Sequence, residues 1–380
     1  MQRSAQPRAN FELMLCCAIC SAAGDDIRRI VERSAESVQW LKLIEAARKH
    51  RLDVALYRAL QSHCAGLVPS SALDLLHHSY TENAAMCHSL ALELKPLIDV
   101  FQREQILAIP CKGPAFAVQV YEDVTLRRCG DLDVLVRQSD MARCTNLMLN
   151  EGYVSQMHFT GGCSFRRGPL ENLYLHWSPM ERHQCPLSAQ RVWDRRSSAV
   201  LLGATVPVMR LEDALLTLCF DGMNERWTRL DRVQDIAAVM RKQNEVNWRQ
   251  FLALCRLWGC ERIALTGMDL ARELFSATLP DGVDTRLRSY RKTGRRAAYV
   301  RQRVMTNQPW TTSAIEDWRY FTGMREGRRE RLQYHRELAH SLFQPKEDET
   351  RWRRTVRRFV YTSLRLLLIA IRKGLAALGH

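Results

Sequence analysis

The stretch Arg127-Arg128-Cys129-Gly130-Asp131-Leu132-Asp133-Val134-Leu135-Val136 constrains this chain more than any other. A glycine followed by an apolar run rich in β-branched residues predicts a turn entering a buried strand. Residues i and i+2 of a strand point to the same face, so Asp131 and Asp133 would project together. Two oxygen ligands converging on one spot suit a hard, oxygen-seeking cation such as Mg²⁺. Such a cation can hold a nucleoside triphosphate by its phosphates and stabilise attacking and leaving oxygens. An isolated Asp-x-Asp is equally what a turn leading into a solvated strand produces, so the flanks matter.

Upstream, Ile106-Leu107-Ala108-Ile109-Pro110-Cys111-Lys112-Gly113-Pro114-Ala115 reads as a short buried strand ending in a glycine turn, with a short helix from Ala115 to Tyr121. A glycine after a strand lets backbone N–H groups approach a phosphate, and a helix N-terminus adds its positive end. Lys112 places a point charge there. Strand, glycine turn, helix and Asp-x-Asp strand together resemble the polymerase-β-like nucleotidyltransferase superfamily. Cys111-Lys112-Gly113-Pro114-Ala115, Tyr121, Leu126-Arg127 and Gly130 to Val136 resemble one branch of it, the uncharacterised bacterial nucleotidyltransferase family.

The resemblance runs over residues 10 to 345. It takes in Gln39-Trp40 to Tyr57, Gly152-Tyr153, Leu175-His176-Trp177, Leu211 to Leu218, Trp227-Thr228-Arg229-Leu230, Gln234-Asp235-Ile236-Ala237, and Asn247-Trp248 to Phe275. It implies Asp131 and Asp133 as catalytic metal ligands, with Mg²⁺ (or Mn²⁺) as the cofactor. It also implies Lys112, Gly113, Arg127 and Gly130 as nucleotide contacts. One departure bears on the chemistry. The family usually carries an acidic residue two positions before the histidine of its His-Trp pair, and Tyr174 stands there. In the superfamily that third carboxylate completes the metal site and takes up a proton. By strand parity Asn172 and His176 share the face of Tyr174, whereas Glu171 faces away unless a bulge intervenes. His176 can serve as base or ligand, or as a structural histidine beside Trp177.

Family members often carry histidines around the positions where this chain has Asp221 and Glu225, which read first as polar positions on solvated helix faces and otherwise, with Asp235, as lining a substrate cleft. Asp235, inside the apolar run Val233 to Met240, reads as a buried pairing or capping residue. Arg127 and Arg128 are either surface cations or partners for triphosphate charge.

With 380 residues and 46% hydrophobic content, the chain can bury a substantial core and suggests two or three structural units. Helical periodicity dominates residues 1–100 and 210–345, and strands cluster in 101–209. The candidate strands are Leu107–Pro110, Asp131–Val136, Leu173–Trp177 and Ala199–Val208, with a capped helix after Arg210. The expected fold is α+β: a small mixed-sheet nucleotidyltransferase core wrapped by N- and C-terminal helical regions, followed by a basic amphipathic tail at 346–380.

Thirteen cysteines form no paired metal framework. Cys17 and Cys20 make a lone CxxC in the apolar run Phe11 to Ala23, and plain buried thiols in a reducing compartment are expected. That run imitates a secretory signal, but Glu12 interrupts it, so a cytoplasmic location is expected. No apolar stretch reaches the roughly eighteen residues of a membrane span. Residues 350–380 hold eight basic residues and no acidic one, out of a net charge of +15. Trp352, Phe359, Leu364 and Leu366 to Ile369 interleave with them. Such a helix can lie on an anionic membrane or pack its apolar face on the body. Nucleic-acid binding is permitted by charge but supported by no aromatic-interleaved motif.

Two functions follow as expectations. The first is an enzyme that moves an NMP from an NTP to an unidentified acceptor with Mg²⁺. The second is a catalytically weakened or inactive nucleotide-binding or scaffold protein on the same fold, for want of the third acid.

Overall fold

The computed structural model describes residues 13–14, 24–34, 38–159, 161–168, 171–178, 187–289, 298–303, 320–325, 327, 331–332 and 334–335. The Cys17/Cys20 run and the basic tail at 350–380 lie outside the described residues, and so does the side chain of Glu171. The chain forms two compact units, residues 1–318 and 319–380. In the second, Phe321 and Tyr334 bring their rings to 6.3 Å, and Arg325 lies 5.1 Å over Tyr334.

The first unit opens with helices α1 (Gly24–Ser34), α2 (Trp40–Lys49), α3 (Asp53–Cys64) and the long α4 (Ser70–Arg103). Next come β1 (Ala108–Pro110), α5 (Gly113–Tyr121), β2 (Leu132–Val136), α6 (Met141–Asn150), β3 (Val154–Phe159), β4 (Gly162–Arg167) and β5 (Glu171–His176). A short α7 (Ala189–Asp194) leads to β6 (Ser197–Leu201) and β7 (Ala204–Val208). Among the described residues that follow are the helices α8 (Leu211–Asn224), α9 (Asp231–Arg241), α10 (Trp248–Leu257), α11 (Glu261–Phe275) and α12 (Asp281–Ser289).

The main sheet is mixed, with strands in the order β1-β2-β5-β4-β3. β2 runs parallel to β5 and antiparallel to β1, while β4 pairs antiparallel with β5 and β3. Alternation along β2 decides what each face does. Leu132, Val134 and Val136 enter one continuous core with Leu90, Leu94 and Phe101 of α4 and with Leu173 and Leu175 of β5. Asp133 therefore projects from the opposite face. The architecture is the expected α+β one, with helices before and after the sheet.

Two expectations about strands need correcting. Ala199–Val208 is a hairpin rather than one strand, because Leu202 and Gly203 both take positive φ (50° and 77°). Two such residues in succession make the turn whose twist suits a two-residue hairpin, and Gly203 was its sequence signal. The hairpin β3–β4 was not anticipated. β3 is an exposed edge strand whose Val154-Ser155-Gln156-Met157-His158 shows no buried stripe for a period-2 reading to detect.

In the C-terminal helical part, Trp227 is wholly buried. Its indole occupies a slot left by two glycines: a Cβ on Gly222 of α8 would come within 2.0 Å of the ring, and one on Gly267 of α11 within 2.9 Å. Gly222→Ala should therefore destabilise the protein by about 1–3 kcal/mol through overpacking. Thermal and urea denaturation of the purified variant measures the loss, and an unchanged midpoint would show that the slot can widen freely.

Candidate functional site

An open cleft of about 390 Å³ lies over the carboxylate face of β2, lined by Arg51, Lys112, Arg127, Arg128, Gly130, Asp131, Asp133, Met157, Phe159, Tyr174, His176 and Arg232. The chain builds it from β2 and its entering loop, from the turn before α5, from β3 and β5, and from two helical regions. Of the residues singled out in the sequence, Lys112, Arg127, Gly130, Asp131, Asp133 and His176 meet there. Gly113 is not in the lining. It takes φ +64° at the start of α5, and a Cβ on it would stand 3.1 Å from the Asp131 carbonyl oxygen, so glycine lets the turn abut the loop that carries Asp131.

Hydrogen bonds hold the loop that leads into β2. Asn83, buried in α4, donates to the carbonyls of Thr125 and Arg127 (3.1 and 3.2 Å) and accepts from the Cys129 amide (3.3 Å). Asp123 caps the short turn Val124–Leu126 by accepting from the Thr125 amide (2.8 Å). The Cys111 amide donates to the Asp133 carbonyl (2.9 Å), joining the Lys112 turn to the same strand.

The acidic pair is unequal. Burial and then the neighbouring Asp133 raise the pKa of Asp131. Among the described residues, none gives the Asp131 carboxylate a hydrogen bond or ion pair. For Asp133 burial acts upward too, but the His176 hydrogen bond and Lys112 outweigh it and bring the pKa to about 2. His176 Nε2 lies 2.8 Å from Asp133 Oδ1. With the carboxylate accepting, a neutral imidazole carries its hydrogen on Nε2 and leaves Nδ1 as the basic nitrogen.

Tyr174 stands where strand parity put it. Its Cα pairs with that of Asp133 across the parallel β2–β5 register, and its side chain lines the cleft. Its ring lies within 6.3 Å of both Phe159 (6.2 Å) and His176, so this wall of the cleft is aromatic rather than acidic.

The helical regions contribute more than expected. Asp221 of α8 is no solvated helix position: its carboxylate reaches Lys112 Nζ at 2.7 Å. Asp221 and Asp133 raise the pKa of the half-buried ammonium against the effect of desolvation, which alone would lower it. Glu225 is half-buried between Arg229 (3.1 Å) and Arg232 (3.4 Å). Arg127 Nε bonds both oxygens of Asp235 (3.0 and 3.2 Å), and the Tyr121 hydroxyl donates to the same carboxylate at 2.8 Å. The paired side chains are 10% and 2% exposed. Arg128 meets the fully buried Asp53 of α3 at 2.7 Å. Arg51 lies within the family-like stretch Gln39 to Tyr57 and Arg232 between two others, but no sequence signal marked either residue. Among the described residues, no cluster of three or more His, Cys, Asp or Glu could hold a metal ion.

The family described as uncharacterised nucleotidyltransferase matches residues 36–276, from just before α2 through α11. The chain belongs to that family. A solved structure titled as an antigenic nucleotidyltransferase-like protein from Paracoccidioides brasiliensis matches at 16% identity and a TM-score of 0.33. The alignment covers 51% of this chain and 93% of that one. A comparison with curated proteins finds no significant match.

Breaking a buried ion pair strands a charge that water cannot reach. Arg127→Ala should accordingly cost about 3–5 kcal/mol of stability by leaving Asp235 unpaired. Chemical denaturation at neutral pH tests this, and a loss below about 1 kcal/mol, that of an exposed pair, would contradict it.

Proposed function

We propose that the protein transfers a nucleotidyl group from a nucleoside triphosphate to an acceptor, with Mg²⁺ (or Mn²⁺) held at Asp131 and Asp133. The observation that carries this reading is the same-face carboxylate pair at the floor of a basic cleft in a chain of a nucleotidyltransferase family. The donor set fits the cation. Mg²⁺ is commonly bound by one or two carboxylates with substrate phosphates completing its shell, which does not require a third protein ligand. The Asp131 pKa, raised by burial and by its neighbour, marks two like charges in a confined space that a cation would relieve. Bound there, the metal supplies charge stabilisation for phosphoryl oxygens.

The chain's own residues do the rest. An acceptor oxygen attacks the α-phosphorus, the bond to the bridging oxygen breaks, and pyrophosphate leaves. Lys112 lies where phosphate charge needs a partner, and a nucleotide competes with Asp221 for it. His176 Nδ1 is available to take the acceptor's proton. Arg127 is committed to Asp235 and supports the loop; its charge acts on the cleft from there.

Asp131→Asn combined with Asp133→Asn should abolish Mg²⁺-dependent NTP binding while circular dichroism stays that of the wild type. Unchanged affinity in the folded double variant would sink the proposal.

One observation favours a second reading, a nucleotide-binding protein without transfer activity. Tyr174 presents a phenol opposite Asp133, where the third acid would stand. Tyr174→Asp separates the two readings. Transfer of labelled nucleotide, assayed with NTP, Mg²⁺ and a cell extract as acceptor source, should rise if the chain is an enzyme slowed by the missing acid. A variant that keeps its melting temperature and transfers nothing supports the binding protein.

A further inference from the structure

Five basic side chains line the cleft, and four have carboxylate partners. Lys112 pairs with Asp221, Arg127 with Asp235, Arg128 with Asp53 and Arg232 with Glu225. Among the described residues, no carboxylate lies within ion-pairing distance of Arg51. Its surroundings are charged nonetheless, with Arg229, Asp231, Arg232 and Asp131 all acting on it. Burial and then Arg229 push the Arg51 pKa down. An exposed cation that lines the cleft, crowded by cationic neighbours and holding no carboxylate, is a place where an arriving anion gains.

The backbone sets where Arg51 stands beside the cleft. Arg51 follows the last turn of α2 in the left-handed conformation, φ 55°. Its amide donates to the Arg48 carbonyl (3.1 Å) and the Leu52 amide to that of Ala47 (2.8 Å). That pattern closes a helix whose last position usually holds glycine. Gln105 and Ser276 adopt the same conformation at other helix ends, so the backbone alone does not single Arg51 out. Its anchoring does. On one side the His50 carbonyl accepts from the Asp231 amide (3.2 Å), and on the other Asp53 is buried against Arg128. The turn between α2 and α3 is thus tied both to the start of α9 and to the loop that carries Asp131.

We propose that Arg51 is a phosphate-binding residue of the cleft, receiving a phosphate group of the ligand held at Asp131 and Asp133. A guanidinium offers two parallel N–H donors to phosphate oxygens, and an unpaired one surrenders no existing ion pair to do so. The phosphate belongs either to the nucleoside triphosphate or to a phosphorylated acceptor. The assignment rests on reading the cleft as a nucleotide site, and its test is arranged to fail separately.

Arg51→Gly is the informative variant, because glycine suits the left-handed position and keeps the turn folded. Arg51→Lys restores the charge without the fork. Calorimetric titration of the full chain uses two probes, a non-hydrolysable Mg²⁺-NTP and inorganic phosphate alone. The glycine variant should melt no lower than wild type yet bind one probe roughly tenfold or more weakly, the size of a charge-assisted hydrogen bond, with lysine recovering part of the loss. Loss in the nucleotide arm assigns the phosphate to the NTP. Loss in the phosphate arm alone assigns it to the acceptor. Equal affinities in both arms overturn the proposal, as does a wild type that binds neither probe. A wild type that binds phosphate but no nucleotide overturns nucleotidyl transfer and leaves Arg51 to be judged by the phosphate arm.

Discussion

The buried pair between Arg127 and Asp235 sets the geometry on which the cleft depends. Arg127 belongs to the loop entering the Asp-x-Asp strand, and Asp235 to α9, more than a hundred residues later in the chain. Two stretches of family-like sequence, Leu126-Arg127 with its Gly130-Asp131 and the late Asp235-Ile236-Ala237, thereby meet in one contact. Taking both charges from water is costly, and the Tyr121 hydroxyl with the Phe116 ring under the guanidinium (5.3 Å) help to offset it. Once that interaction is made, the loop cannot drift relative to the helices. Asn83 holds the same loop from the other side through three backbone groups.

The cleft gains its charge balance from outside its own floor. Each of four basic residues there has a carboxylate supplied by α3, α8 or α9 or by the turn after α8. The helices are therefore part of the site's electrostatics and not only a jacket around the sheet. An ammonium held by Asp221 stays charged despite desolvation, and it can exchange one anion for another without first paying to enter the interior. The wall facing Asp133 is different in kind. Phe159, Tyr174 and His176 give it rings where a third carboxylate would have given charge.

Much of the sheet was legible because its strands carry local signals. The apolar run Leu132 to Val136 and the glycine before it located β2, and period-2 parity put Tyr174 and His176 on one face. The edge hairpin β3–β4 escaped because a strand exposed along its length buries nothing in a periodic way. The Leu202-Gly203 turn was within reach, since its glycine stood between two largely apolar runs, Ala199 to Leu202 and Ala204 to Val208. At the site, Asp131, Asp133 and Lys112 were visible through their setting. Arg51 and Arg232 were not, because what distinguishes them is the spatial neighbourhood of residues far apart in sequence. Asp221 was misjudged for the same reason: a lone acid on a helix reads as solvated until the lysine it faces is known.

The sheet order carries a consequence for how the chain is made. β5 is the last of the five strands to be synthesised, yet it lies at the centre, between β2 and β4. Until residues 171–176 emerge from the ribosome, β2 has only the three-residue β1 as a strand partner, and its other edge is open. The β3–β4 hairpin meanwhile has no sheet to join. An apolar strand with an open edge is prone to wrong pairing, and pairing across long sequence separation is slow. The strand that delivers Tyr174 and His176 to the cleft is thus also the one that closes the sheet. Closing the sheet and placing the aromatic wall of the cleft therefore depend on one segment of the chain.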